Sequence, residues 1–172
     1  MRKTAIVFLL VGAVSMAAQH QHHPESATPT PAAMESKHHA FLEEERAAIG
    51  RGEGFGMAMP ADMNGYPGPK HILELKKELK LTAEQEAAVQ KLMADMKTKA
   101  LAKGKEVLAA EDRLGQYFKE GRSEAELREE TYRVASLRAE LRWVHLGTHL
   151  AAKKVLTAEQ NAVYTKLRYG GK

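Results

Sequence analysis

The chain has 172 residues, 44% of them hydrophobic and only 6% aromatic, and none of them is cysteine. It therefore has no disulfides and no thiolate chemistry, and its richness in Ala, Leu, Glu, Lys and Arg is typical of a helical bundle or coiled coil. The formal charge of +4 falls to +2 when Arg2 and Lys3 are removed with a leader, so nucleic acid is not an expected partner.

Residues 1–17 predict a secretory signal peptide. Arg2 and Lys3 precede the apolar run AIVFLLVGAVSM, and the small residues Ala17 and Ala18 follow it. The apolar run is too short to be a good transmembrane span. Cleavage after Ala17, or after Ala18 as the next choice, would leave a mature protein that is exported.

Residues 18–65 predict a mobile N-terminal arm that docks at most locally. The arm is rich in His, Met, Pro and Gly, and its one short helical candidate is MESKHHAFLEEERAAI. The next stretch, GRGEGFGMAMPADMNGYPGP, contains too much Gly and Pro for a regular element. We therefore expect the folded domain to begin near residue 66.

Residues 66–170 predict an all-α domain of four helices built around a long antiparallel hairpin. A short helix over residues 69–79 is expected first. The second helix should end near Glu120, where Gly121 offers a C-terminal cap and Ser123 with Glu126 opens the third helix. So short a connection makes the second and third helices antiparallel neighbours.

The phrase LTAEQ occurs twice, at residues 81–85 and 156–160. Thr82 with Gln85, and Thr157 with Gln160, match the T-x-x-Q capping box that begins a helix. The two copies therefore predict the starts of the second and fourth helices, while the leucine that opens each copy should pack in the core.

The two hairpin helices carry matching apolar seams, and the third helix carries a second stripe. Steps of three and four residues define each seam. The second stripe comprises Tyr132, Ala135, Ala139, Trp143, Leu146 and Leu150. One hairpin partner can cover only one stripe, so we expect the other to be covered by the short helices, by a second subunit or by a client.

An exported, cysteine-free chain with a helical hairpin and two LTAEQ phrases resembles the Spy and CpxP group of periplasmic proteins, whose shared feature is the LTxxQ motif. The resemblance spans residues 66–169. It implies a homodimer of bent hairpins that forms a cradle, a role in envelope stress, and ATP-independent chaperone activity in the Spy branch. Related branches bind metal as zinc-resistance-associated or heavy-metal-sensor proteins, so a sensor kinase or another membrane sensor is a further expected partner.

In this interpretation the expected clients are unfolded or misfolded envelope proteins. Basic side chains would speed the encounter and apolar contacts would prolong it. The candidate client-binding residues are Lys97, Lys99, Lys103, Lys105, Arg128, Arg138, Arg142, Trp143 and Leu146. Each charge could equally be an ordinary solvated helix charge.

The chaperone interpretation requires no cofactor, and binding of Cu, Ni or Zn is the alternative function. His145 and His149 stand four apart on one helix face and could share an ion, although two ligands do not close a site. The arm adds His20, His22 and His23. If Ala18 is the mature N-terminus, the amine, two backbone nitrogens and the third-position His20 could surround Cu(II) or Ni(II).

An enzyme is not expected. The sequence shows no nucleophile beside a base, no pair of carboxylates on an inward face and no Gly-rich phosphate loop followed by Lys and Ser or Thr. The last absence also excludes the common ATP-binding motif.

Overall fold

The computed structural model describes residues 30–170, and all regular structure within that range is helical. The described helices are α1 (Pro31–Gly50), α2 (Met59–Asp62), α3 (Pro69–Glu74), α4 (Ala83–Glu120), α5 (Glu124–Val155) and α6 (Ala158–Tyr169). The all-α prediction is confirmed. The predicted signal peptide, residues 1–17, lies outside the described range.

Helices α4 and α5 form the predicted antiparallel hairpin. Gly121 ends α4 in the left-handed conformation, with φ of 64°, which glycine adopts without the steric cost of a Cβ atom. Ser123 then caps α5: its hydroxyl accepts a hydrogen bond from the Glu126 backbone amide, and the Ser123 backbone amide donates to the Glu126 carboxylate. At 38 residues, α4 is about 55 Å long.

The seam between the two long helices is buried along most of its length. Its buried members include Val89, Ala100, Val107, Ala110, Val134 and Leu141. Met93 also falls in the heptad seam of the second helix, but it is 38% exposed. Small residues on α4 facing larger ones on α5 allow the helices to pack closely.

The short helices α3 and α6 close the open end of the hairpin. One core cluster joins Ile72 of α3, Val89 of α4, Leu156 and Tyr164, and Leu81 packs against it. The prediction that Leu81 and Leu156 belong to the core is therefore confirmed. Burial of side chains of this size stabilises the closed end by about 1.5–3 kcal/mol each.

The N-terminal region differs from the predicted mobile arm over residues 44–65. Helix α1 runs through Gly50, and its last turn buries Ala48 and Ile49 completely against the middle of the hairpin. The close approach is possible because Gly104 of α4 has no side chain: a Cβ there would lie 2.7 Å from the Ile49 carbonyl oxygen. Helix α1 coincides with the helical candidate MESKHHAFLEEERAAI, whereas α2 was not predicted.

Residues 51–68 cross α5 between α1 and α3, and we call them the strap. The strap contains the four-residue helix α2 and four of the positive-φ positions of the chain, among them Gly52, Gly56 and Gly65. Asp62 ties its second half to α6, since the Tyr164 hydroxyl donates to Asp62 Oδ1 at 3.1 Å. Gly and Pro content therefore ruled out long helices here without ruling out an ordered path.

Candidate functional site

The second stripe of α5 forms an exposed apolar face. Tyr132 is 69% exposed, Trp143 is 62% exposed, and Leu150 is also exposed, with Ala135 and Ala139 between them. At 3.6 residues per turn the stripe lies about half a turn from the buried Leu141. No described helix covers Tyr132 or Trp143, so of the three alternatives a second subunit and a client remain.

The rest of the stripe is small or partly buried. Leu146 and Gly147 are half-buried. Gly147 lies close to the Trp143 indole: a Cβ added to Gly147 would be 3.8 Å from the indole Nε1. The stripe therefore places Ala135 and Ala139 between two large aromatic side chains and ends in Leu146 and Leu150. Apolar surface of this kind on one helix is a feature of interaction surfaces.

The predicted basic residues do not form one cluster. Lys97 lies on the side of α4 that meets the strap, where its ammonium donates to the Arg51 carbonyl. Lys103 points to the other side of the hairpin and bridges Glu140 at 2.7 Å and Glu106 at 2.9 Å. These two carboxylates raise the pKa of Lys103.

Two of the predicted arginines are also occupied by the N-terminal region. Arg138 joins Glu111 of α4, at 2.6 Å, to Glu45 of α1, at 2.9 Å, and the Arg142 guanidinium donates to the Met57 carbonyl of the strap at 3.2 Å. Lys97, Arg138 and Arg142 therefore contact α1 and the strap in this structure. Their part in binding a client stays a prediction.

The remaining predicted charges are exposed. Lys99 and Lys105 are exposed on α4, while Arg128 near the hairpin tip pairs with Glu124 one turn earlier. Surface ion pairs between neighbouring turns contribute at most about 0.5 kcal/mol. Arg128 is thus easily available to a partner, and it lies one turn before Tyr132 at the tip end of the stripe.

The two histidines of α5 lie beneath the strap. His145 is buried, and a Cβ added to Gly54 would lie 3.1 Å from its Nδ1. His149 Nδ1 donates to the Tyr66 carbonyl at 2.7 Å, and Gly68 packs against its ring. Burial lowers the pKa of His145, and the nearby His149 lowers it further.

Among residues 30–170 no group of three or more His, Asp or Glu side chains is arranged to hold a metal ion. His145 and His149 therefore lack a described third ligand, and the first of them is enclosed by the strap. His20, His22 and His23 precede the described range. Metal binding by the N-terminal residues accordingly stays a prediction.

The LTAEQ residues serve at the closed end of the hairpin. The Thr82 and Thr157 hydroxyls each accept a hydrogen bond from the backbone amide of the glutamine three residues later, at 3.2 Å. Both predicted capping boxes are therefore confirmed. The glutamines do more, because Gln85 Nε2 donates to Gln160 Oε1 at 2.7 Å and Gln160 Nε2 donates to Gln85 Oε1 at 2.9 Å.

Sequence reasoning missed the strap and the glycines that admit it. Gly54 and Gly68 lie against the imidazoles of His145 and His149, while Gly104 lies against α1. The available signal was Gly104 itself, since a glycine inside a strong helical pattern indicates close packing of another backbone.

The comparisons with known proteins add no relative. No family model matches the sequence, and neither a curated protein nor a solved structure matches it. Within the described range, no helix combines the length and the apolar character needed to cross a bilayer.

Proposed function

We propose that the protein is an ATP-independent periplasmic chaperone or envelope-stress adaptor of the Spy and CpxP type. The observation that carries the proposal is the exposed stripe of α5, from Tyr132 through Trp143 to Leu150. An unfolded polypeptide exposes apolar side chains that can cover such a stripe, and this burial would favour binding by about 25 cal/mol per Å² before the cost of ordering the client.

The geometry of the stripe suits many different clients. A single helix face offers no deep pocket, so binding depends on apolar area rather than on one side-chain shape. Arg128 at the tip end and Lys154 at the other end provide exposed charge near the stripe. Charges at the rim of an interface accelerate association more than they strengthen it, which favours rapid and reversible holding.

Membership of the Spy and CpxP group is part of the proposal. It is supported by two LTAEQ phrases, one at the start of the hairpin helix α4 and one at the start of α6, and by the signal-like residues at the N-terminus. Periplasmic export and a membrane-sensor partner follow from that membership and are proposed with it.

We also propose a homodimer in which two α5 helices pair antiparallel through the stripe. With Ala139 on the two-fold axis, each Trp143 would meet the small Ala135 of the other copy. The same register would bring Glu124, at the acidic start of α5, to Lys154 at its basic end. Size and charge complementarity thus favour one register, and client and second copy would compete for the same surface.

The test is suppression of the aggregation of a chemically denatured client protein, without ATP. We expect the mature protein to suppress aggregation, and Trp143→Ser combined with Tyr132→Ser to remove most of this activity. Phe118→Ser is the matched control, because Phe118 is 65% exposed on α4 and lies off the stripe.

Equal loss of activity in the control would contradict a specific stripe. Absence of suppression by the unaltered protein at a severalfold molar excess would contradict the chaperone proposal itself. The same assay with added Cu(II), Ni(II) or Zn tests the alternative, since tight metal binding without any suppression would favour a metal-binding protein.

A further inference from the structure

His145 is a buried ionisable side chain for which the described residues provide no polar partner. Its Nε2 atom is inaccessible to solvent and neither donates nor accepts a hydrogen bond. The Gly54 backbone covers the opposite side of the ring so closely that even a methyl group on Gly54 would contact it, at 3.1 Å from Nδ1 and 3.3 Å from Cε1. The neutral ring fits this space, whereas a charged ring would have two N–H donors to satisfy.

The charged groups around His145 are engaged elsewhere. On the strap, Arg51 and Glu53 pair with each other at 2.9 Å. On α4, Lys97 donates to the strap carbonyl of Arg51. None of these elements presents a free carboxylate to the imidazole.

The neighbours of His145 on its own helix are no more favourable to a positive charge. Arg142 donates to the strap at Met57, and His149 donates to it at Tyr66. Both of these groups are cationic or can become so. A protonated His145 would thus be a buried charge without a counter-ion, which proteins avoid.

His149 provides an internal contrast. Its Nδ1 donates to the Tyr66 carbonyl of the strap, whereas the buried Nε2 of His145 has no hydrogen-bond partner. The strap thus provides a hydrogen bond for one of the two imidazoles and none for the other.

We propose that the first half of the strap, residues 51–58, is an acid-released cover of α5 that stays closed only while His145 is neutral. The second half remains attached at low pH, because Asp62 holds it to Tyr164 and Tyr169 of α6. Release would uncover His145 and free Arg142 and Lys97, which adds a basic border to the exposed stripe. That last consequence rests on the proposed function, whereas the release itself does not.

The direction of the pH effect follows from the lowered pKa of His145. A histidine whose pKa is lower in the closed state stabilises that state fully above its usual pKa of about 6.5, and the stabilisation is lost as the pH falls through the lowered value. Between the usual pKa and the lowered pKa of His145, the ratio of open to closed strap should rise about tenfold for each unit by which the pH falls.

Amide hydrogen exchange measured by NMR at pH 7.5 and pH 5.0, corrected for intrinsic rates, tests the proposal on the whole mature chain without a client. The Glu53 amide donates to the Ala48 carbonyl of α1, and the Met57 amide donates to the Gly54 carbonyl within the first half. The Tyr66 amide donates to the Ala61 carbonyl in the second half. We expect Glu53 and Met57 to lose protection at pH 5.0, while Tyr66 keeps its protection.

His145→Leu should keep the first half protected at both pH values, and His39→Leu, on the exposed face of α1, should behave like the unaltered chain. Unchanged protection of Glu53 and Met57 at pH 5.0, or the same loss in His145→Leu, would overturn the proposal. If His145→Leu fails to fold, titration of the His145 ring signals decides: a pKa of 6.5 or above with the strap still closed overturns it. Because no client is present, these results are independent of the aggregation assay.

Discussion

Gln85 and Gln160 join the two ends of the hairpin through a reciprocal pair of amide hydrogen bonds of 2.7 and 2.9 Å. Each side chain also donates to a backbone carbonyl just before the start of the other helix: Gln85 donates to Val155, before α6, and Gln160 donates to Leu79, before α4. The repeated phrase therefore begins two helices and fastens their N-termini to each other.

Gln85→Ala should lower the free energy of unfolding by about 2–3 kcal/mol, because it removes a cap and leaves the Gln160 amide without its partner. Urea denaturation monitored by circular dichroism measures the change. Gln90→Ala, at an exposed position of the same helix, should cost less than about 0.5 kcal/mol. Losses from Gln85→Ala and Gln160→Ala that simply add in the double variant would argue against the reciprocal pair.

Gly104→Ala should destabilise the protein by about 1–3 kcal/mol, since its Cβ would lie 2.7 Å from the Ile49 carbonyl and push α1 away. Gly115→Ala, in the same helix with nothing within 4 Å, should instead stabilise by about 0.5–1 kcal/mol. Thermal unfolding of both variants gives the comparison. Stabilisation by both substitutions would show that α1 does not pack on Gly104 in solution.

Ala139→Cys should form a disulfide-linked dimer under mild oxidation, because an antiparallel α5 pair places residue 139 of both copies on the axis. The chain has no cysteine of its own, so any bond on a non-reducing gel reports residue 139. Ala109→Cys, exposed on α4, is the control and should stay largely monomeric. Equal dimer yields from the two variants would indicate random collision.

Glu130→Gln should lower stability by about 1–2 kcal/mol. The Glu130 side chain is only 8% exposed and accepts from Arg113 Nε at 2.9 Å, so losing its charge leaves a half-exposed arginine beside a neutral amide. Glu129→Gln, exposed one residue earlier, should change stability by less than about 0.5 kcal/mol. Chemical denaturation of the two variants measures the change in the free energy of unfolding. Similar losses in both would show that the Glu130 carboxylate does not stabilise the fold.

The hairpin was predictable because its signals are local. Thr82, Gly121 and Ser123 mark helix ends through bonds to residues within four positions, and the seams follow from 3.6-residue periodicity. The stripe from Tyr132 to Leu150 was predictable for the same reason, although the sequence left open what covers it.

The surroundings of the candidate client-binding charges could not be predicted, for a physical reason. The prediction grouped Lys97, Lys103, Arg138 and Arg142 by their charge, but a charge on a helix surface is free only if no other element reaches it. Here α1 and the strap occupy three of these residues, and Glu140 with Glu106 occupies Lys103. Apart from the local Lys103–Glu106 pair, these contacts join residues tens of positions apart and leave no periodic signal.

The sequence by itself determined the long helices, their caps and the two apolar faces of α5, because backbone hydrogen bonding and side-chain periodicity act over a few residues. Only the tertiary structure decided the path of the strap and the burial of His145. Gly54, Gly68 and Gly104 have no side chain to indicate a partner, and their close contacts arise only when distant backbones meet.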